Sequence, residues 1–208
     1  MTLVEPPVQF LNRPDGTRLA YRHLRGEGPT IVFLPGYMSD MQGGKAQALA
    51  AWAQTQNRAM LRLDYSGCGE SDGEFESGTL DVWRDDVCAV IAAVVTGPII
   101  LVGSSMGGWL MLLVAQALGD QVRALVGIAA APDFTDWDFD AADKAALLDK
   151  GRIERPSDYG YDAMVITQDF WTSGQDNLQL TDRVAIHCPV RLIHGQQDPD
   201  VPWEISLK

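Results

Sequence analysis

Ser105 stands in Gly103-Ser104-Ser105-Met106-Gly107-Gly108, directly after the apolar run Ile99-Ile100-Leu101-Val102 and ahead of a segment with helical period. A serine hydroxyl is a poor nucleophile unless it projects from a sharp turn between strand and helix. There the flanking backbone is so crowded that glycine alone clears its neighbours. Gly103 and Gly107 supply that clearance, so the pattern predicts attack by the Ser105 hydroxyl on a carbonyl carbon. A helix beginning at the next residue would aim the Met106 N–H and the helix dipole at the developing oxyanion. A bare Gly-x-Ser-x-Gly is also compatible with an ordinary glycine-rich turn, and it is the strand before it and the helix after it that favour the nucleophile. Ser104 is the rival serine, but it lies outside the flanking-glycine register.

An oxyanion needs a second donor. After the run Thr30 to Leu34 comes Pro35-Gly36-Tyr37-Met38-Ser39-Asp40, and the backbone N–H of Tyr37 is the candidate, although Gly36 alone would explain a plain turn. A carboxylate that orients a histidine is expected later in the chain, in the order serine, acid, histidine. Asp198 fits, in His194-Gly195-Gln196-Gln197-Asp198-Pro199-Asp200-Val201-Pro202, with Asp200 as runner-up. Cys68, in Asp64-Tyr65-Ser66-Gly67-Cys68-Gly69-Glu70-Ser71, has no histidine placed to activate it and reads as an idle, buried thiol.

The elements that must position these residues follow a regular order. Val8 to Leu11 and Arg18 to His23 flank the turn-forming Asn12-Arg13-Pro14-Asp15-Gly16, which predicts a hairpin. Thr30 to Leu34, Ala59 to Leu63, Ile99 to Val102, Ala124 to Ile128 and Val190 to Ile193 are short apolar or β-branched runs, the mark of strands covered on both faces of a parallel sheet. Gln42 to Gln54 and Met106 to Leu118 read as helices. A third runs from an N-cap at Thr79, with Leu80, Trp83, Val87, Ile91 and Val94 on one stripe and Asp81, Arg84, Asp85 and Asp86 on the other side. The alternation predicts a doubly wound α/β domain with right-handed crossovers. From Asp133 to Asp182 it breaks down into mixed helix and loop, too long for a simple connection. The division expected is therefore core over 1–132, a lid over 133–183, and core resumed over 184–208.

Sixteen basic against 28 acidic residues give a formal charge of -12, which argues against nucleic acid and anionic membranes as partners. The three cysteines, Cys68, Cys88 and Cys188, have neither the number nor the spacing of a disulfide framework or zinc site, and no metal or cofactor is implied. No signal peptide is visible at the start and no apolar run is long enough to span a bilayer, so the expected location is the cytosol.

The Ser105 turn, the Asp64 to Ser71 loop and Gly195 to Pro202 together resemble the α/β-hydrolase family over nearly the whole chain. More narrowly, Phe33 to Met41, Gly103 to Leu110 and Cys188 to Gly195 resemble the palmitoyl-protein thioesterase and acyl-glucuronide esterase branch. The resemblance implies a serine hydrolase cleaving esters or thioesters through an acyl-enzyme, with a small-molecule ester or thioester of a medium or long acyl group as substrate. Other serine-dependent chemistry on this fold, such as carbon–carbon bond hydrolysis or perhydrolysis, and a non-catalytic ligand-binding role stay open. The family's histidine follows one more strand and helix beyond the acid, which places it past Lys208 and leaves the sheet short of that strand and helix. Of the three histidines present, His23 and His187 are expected away from Ser105, and His194 reads as a packing residue rather than a base. These 208 residues are accordingly expected to be nearly inactive alone. In the lid, Phe134, Trp137, Phe139, Tyr159, Tyr161, Phe170 and Trp171 either line an acyl pocket or pack on the core. Trp109 is expected in the core.

Overall fold

A computed structural model describes residues 4–156 and 163–208. Strands β1 (Gln9–Asn12) and β2 (Arg18–Leu24) form the opening hairpin. Its turn contains Gly16 at φ +90° and an Asp15 carboxylate that accepts the Thr17 N–H at 2.9 Å, the local chemistry that fixes hairpin register. The alternation follows as β3 (Glu27–Leu34), α1 (Gly44–Thr55), β4 (Arg58–Leu63), α2 (Leu80–Val94), β5 (Ile99–Ser104), α3 (Met106–Leu118) and β6 (Val122–Ile128). An excursion then holds α4 (Phe134–Trp137), α5 (Ala141–Lys150), β7 (Arg152–Arg155), β8 (Met164–Thr167) and α6 (Gln168–Asp176), before β9 (Val190–Ile193) returns to the sheet.

The main sheet runs β1-β2-β4-β3-β5-β6-β9. All pairings from β4 to β9 are parallel, and β2 joins β4 antiparallel. From β3 the chain winds outward to β4 on one side and then crosses to β5 on the other. The carboxyl ends of β3 and β5 thus form the point where strand order reverses, the place where open α/β sheets leave a crevice for ligands. Each strand there is covered on both faces. Val32 and Leu34 of β3 enter the larger core with α2 and α3, while Ile31 and Phe33 pack on Ala46, Ala50 and Ala53 of α1.

Helix α2 begins as its sequence predicts, with the Thr79 hydroxyl accepting the Val82 N–H at 3.2 Å and Leu80, Trp83, Val87 and Ile91 buried. Asp86, expected on the solvent side, is instead fully buried. It is satisfied by an ion pair with Arg13, the Ser66 N–H at 2.8 Å and the Ser66 hydroxyl at 2.6 Å. Strand β9 also departs from expectation. Among the described residues it pairs with β6 alone, and its side chains are not covered on both faces: Leu192 is 45% and Ile193 61% exposed.

Within the excursion β7 and β8 pair as an antiparallel ribbon that hydrophobic patterning did not reveal. Asp133, at φ +60°, ties its two ends: the carboxylate accepts the N–H groups of Gln179 and Leu180 at 2.8 and 2.7 Å. Helix α6 is fastened to α2 through the Ser173 hydroxyl on Asp81 at 2.7 Å and the Asn177 amide on Asp81 at 3.0 Å. Among the described residues, no helix is long and apolar enough to cross a membrane.

Candidate active site

Ser105 sits between β5 and α3 at φ +53°, ψ -123°, a conformation that a non-glycine residue holds only when its surroundings force it. Those surroundings are specific. The Ser105 N–H donates to Ile128 O at 3.1 Å, and the Ser105 carbonyl accepts from Gly108 N at 2.8 Å and Ala131 N at 3.0 Å. A Cβ on Gly103 would meet Gly107 O at 2.2 Å, and one on Gly107 would meet Leu34 O at 2.1 Å. Gly108 belongs to the same constraint, since its Cβ would lie 2.4 Å from Ala130 Cβ, a role that the flanking-glycine pattern does not predict. Ser105 is half-buried, whereas Ser104 ends β5 as a buried residue. Among the described residues the Ser105 hydroxyl has no hydrogen-bond partner.

The loop after β3 lies against this corner. A Cβ on Gly36 would be 3.3 Å from Ser105 Cβ and 3.8 Å from Ser105 Oγ. The Tyr65 hydroxyl holds the loop by donating to Pro35 O at 3.0 Å, and Ser39 N donates to Gly36 O at 3.2 Å. Met106 is the first residue of α3, where N–H groups have no partner within the helix. Among the described residues neither the Tyr37 nor the Met106 N–H is paired. Two free amides beside a strained serine are what an acyl-transfer site requires for a tetrahedral oxyanion.

Asp198 follows β9, so its loop opens on the same edge of the parallel sheet as Ser105 and Tyr37. Its Oδ1 accepts the N–H groups of Asp200 and Val201, each at 3.0 Å, and Asp198 N donates to Gly195 O at 3.1 Å. The loop thereby fixes the direction of the carboxylate. An open cavity of about 560 Å³ lies against Gly195, Gln196, Gln197 and Asp198.

His194 is engaged within its own loop. In His194, Nε2 lies 2.9 Å from Val201 O and Nδ1 2.6 Å from Ser206 Oγ. A carbonyl can only accept, so Nε2 carries the proton and Nδ1 accepts from the serine hydroxyl, leaving neither nitrogen for Ser105. His23 lies on β2 opposite Leu61, its pKa lowered by burial and by Arg25. His187 is exposed ahead of β9. Cys68 is buried, and desolvation together with Asp64, Asp86 and Asp40 pushes its thiol up to about 12, which keeps it protonated and inert. Among the described residues no group of three His, Cys, Asp or Glu could hold a metal ion.

Of the aromatic residues expected in the lid, Phe134, Phe139 and Phe170 pack into the core with Trp109, Tyr37 and Trp83. Trp137 is half-buried and donates to Pro132 O at 2.8 Å. Tyr159 and Tyr161 lie outside the described residues. The Tyr37 side chain is the residue that sequence reasoning missed: only its amide had a role, yet its ring stands at the centre of this cluster.

A family model described as the alpha/beta hydrolase family matches residues 31–206. The human protein named palmitoyl-protein thioesterase ABHD10, mitochondrial, is 42% identical over 205 residues, covering 97% of this chain and 67% of its own length. A solved structure of mouse alpha/beta hydrolase domain-containing protein 10 superposes with a TM-score of 0.88 at 40% identity, covering 97% of this chain and 82% of that one. A putative hydrolase from Agrobacterium vitis S4 superposes with the same TM-score at 32% identity, covering 97% and 84%. These names correct one expectation. The cytosolic location is overturned by relatives named as mitochondrial; composition of a folded domain carries no address, because import is directed by separable leader segments.

Proposed function

Since the chain belongs to the alpha/beta hydrolase family, we propose that it hydrolyses acyl thioesters or carboxylic esters through an acyl-enzyme on Ser105. The observation that carries this reading is the forced φ +53° of Ser105 directly opposite Gly36, beside two unpaired amides. Attack of Oγ on the substrate carbonyl forms a C–O bond and an oxyanion, which accepts the N–H groups of Tyr37 and Met106. Collapse breaks the bond to the thiolate or alkoxide leaving group, and water then attacks the acyl-serine to release the carboxylic acid. Asp198 orients the histidine that moves these protons. His194 is not placed for that role, because its two ring nitrogens are taken up by Val201 O and Ser206 Oγ. Residues 133–183 serve as a cap over the serine. The name of the human relative, a palmitoyl-protein thioesterase, supports the thioester arm and a fatty acyl group.

A fluorophosphonate probe, with imidazole added as an exogenous base, tests the nucleophile. Labelling should fall on a single residue, quicken with imidazole, and vanish in Ser105→Ala. Labelling that survives this substitution, or no labelling under either condition, removes Ser105 from the reaction.

A further inference from the structure

The segment Gly36 to Asp40, which carries the Tyr37 amide, is pinned beside Ser105 by side chains at the end of β4. Asp64 and Tyr65 follow that strand directly, and neither is exposed to solvent. The Tyr65 hydroxyl donates to Pro35 O at 3.0 Å, and Asp64 Oδ1 accepts the Met41 N–H at 2.7 Å. Buried Arg62, within β4, adds a bond from Nη1 to Met41 O at 3.0 Å. One strand end thus holds the segment on both sides, one residue before Gly36 and one beyond Asp40.

Pro35 O is confined from a second direction. A Cβ on Gly107 would lie 2.5 Å from it, so the carbonyl sits between the Tyr65 hydroxyl and the first turn of α3, one residue from Met106. Between the two anchors the backbone is strained: Met38, next to Tyr37, holds φ +55°. Such a conformation persists only when the surrounding structure imposes it. Packing of the Tyr37 ring does not by itself settle where its N–H points, because the peptide plane before it can still turn about the neighbouring φ and ψ.

The Tyr65 hydroxyl is separable from its ring, which stacks on Trp83 at 5.6 Å between centroids. Both oxygens of Asp64 are engaged, since Oδ2 accepts the Glu70 N–H at 2.9 Å, and an asparagine would offer one acceptor for two donors.

Resting on the reading of Ser105 as the acylated residue, we infer that Tyr65 and Asp64 are positioning residues for the oxyanion: acting through Pro35 and Met41, they hold the Tyr37 amide in place beside the serine. Their effect falls on the covalent step. A tilted amide leaves the ground-state complex intact but meets the developing negative charge poorly.

The test is fluorophosphonate labelling of Ser105 over a range of probe concentrations, with imidazole as base, in the wild-type chain, Tyr65→Phe and Asp64→Asn, each with its urea unfolding curve. At saturating probe both variants should label about ten-fold more slowly, with the half-saturating concentration within about two-fold of wild type. A side chain that merely supports the fold would lower the urea midpoint and leave the saturating rate of the folded chain unchanged. That result in Tyr65→Phe overturns the inference, as does a loss confined to the half-saturating concentration. Should Tyr65→Phe not fold, Asp64→Asn decides by the same two readings. A wild-type chain that does not label at Ser105 removes the hydrolase reading and this inference with it, whereas wild-type labelling matched by the folded variant removes the inference alone.

Discussion

Gly36 and Ser105 face each other across the crevice between β3 and β5, so closely that a methyl group on Gly36 would rest 3.3 Å from Ser105 Cβ. Two segments 69 residues apart in sequence meet there because β3 and β5 are neighbours in the sheet, pairing Leu34 with Gly103. The contact fixes where an oxyanion would lie relative to the hydroxyl.

Gly36→Ala should therefore fold, with stability within about 1 kcal/mol of wild type, since the neighbours need yield only a few tenths of an ångström. Fluorophosphonate labelling of Ser105 should slow by about ten-fold or more, as small misplacements of reacting groups commonly do. Thermal melting and labelling rates measure the two effects. An unchanged labelling rate would separate the Gly36 loop from the chemistry.

The assignment of His194 gives a paired expectation. As a loop clamp, His194→Ala should cost about 1–2 kcal/mol by removing its bonds to Ser206 and Val201. The unsubstituted chain should turn over p-nitrophenyl butyrate far below the ordinary enzyme rate of about 10 s⁻¹, because no described histidine reaches Ser105. Turnover near that rate, abolished by His194→Ala without loss of stability, would identify His194 as the base.

Cys68 should resist iodoacetamide. At pH 8 a thiol with a pKa of about 12 is almost wholly protonated, so native alkylation should run about a thousand-fold slower than in urea. Peptide mapping after timed quenching gives both rates. Native Cys68 reacting as fast as the unfolded chain would contradict its burial between Asp64 and Asp86.

His23 should make stability depend on pH in one direction. Burial and Arg25 lower its folded pKa below the unfolded value near 6.5, so folding favours the neutral ring. The stability this confers is complete above the unfolded value and is lost as pH falls through the folded one. Urea unfolding between pH 7.5 and 5 should show wild type losing more stability than His23→Gln. Equal losses would show that the ring titrates alike in both states.

The corner at Ser105 was legible in the sequence because part of its cause is local. Gly103 is demanded by backbone atoms of Gly107 and Gly108, within five residues, while Gly107 is demanded by Leu34 and Pro35 at the end of the neighbouring strand; the apolar run Ile99 to Val102 marks the strand beside them. The same holds for the Thr79 cap, the Gly16 turn and the alternation that predicted the parallel sheet. Short-range sterics and hydrogen bonding decide such features before any long-range contact forms.

Other features waited for the tertiary structure. Nothing near Asp86 in the sequence announces that Arg13 and Ser66 will come to meet it, so an amphipathic pattern assigned it to solvent. The apolar run of β9 reads as interior, yet no described element packs over Leu192 and Ile193 closely enough to bury them, and both are exposed. Tyr37 meets Val165 and the lid aromatics fill the core instead of walling an open pocket because packing, not periodicity, selects which distant side chains share a space. The sequence by itself determined the order of strands and helices and the place of the serine between two of them, because glycine spacing and apolar periodicity act along the chain. Only the folded chain decided what packs around Tyr37, because those contacts join residues distant in sequence, such as Tyr37 and Val165, 128 positions apart.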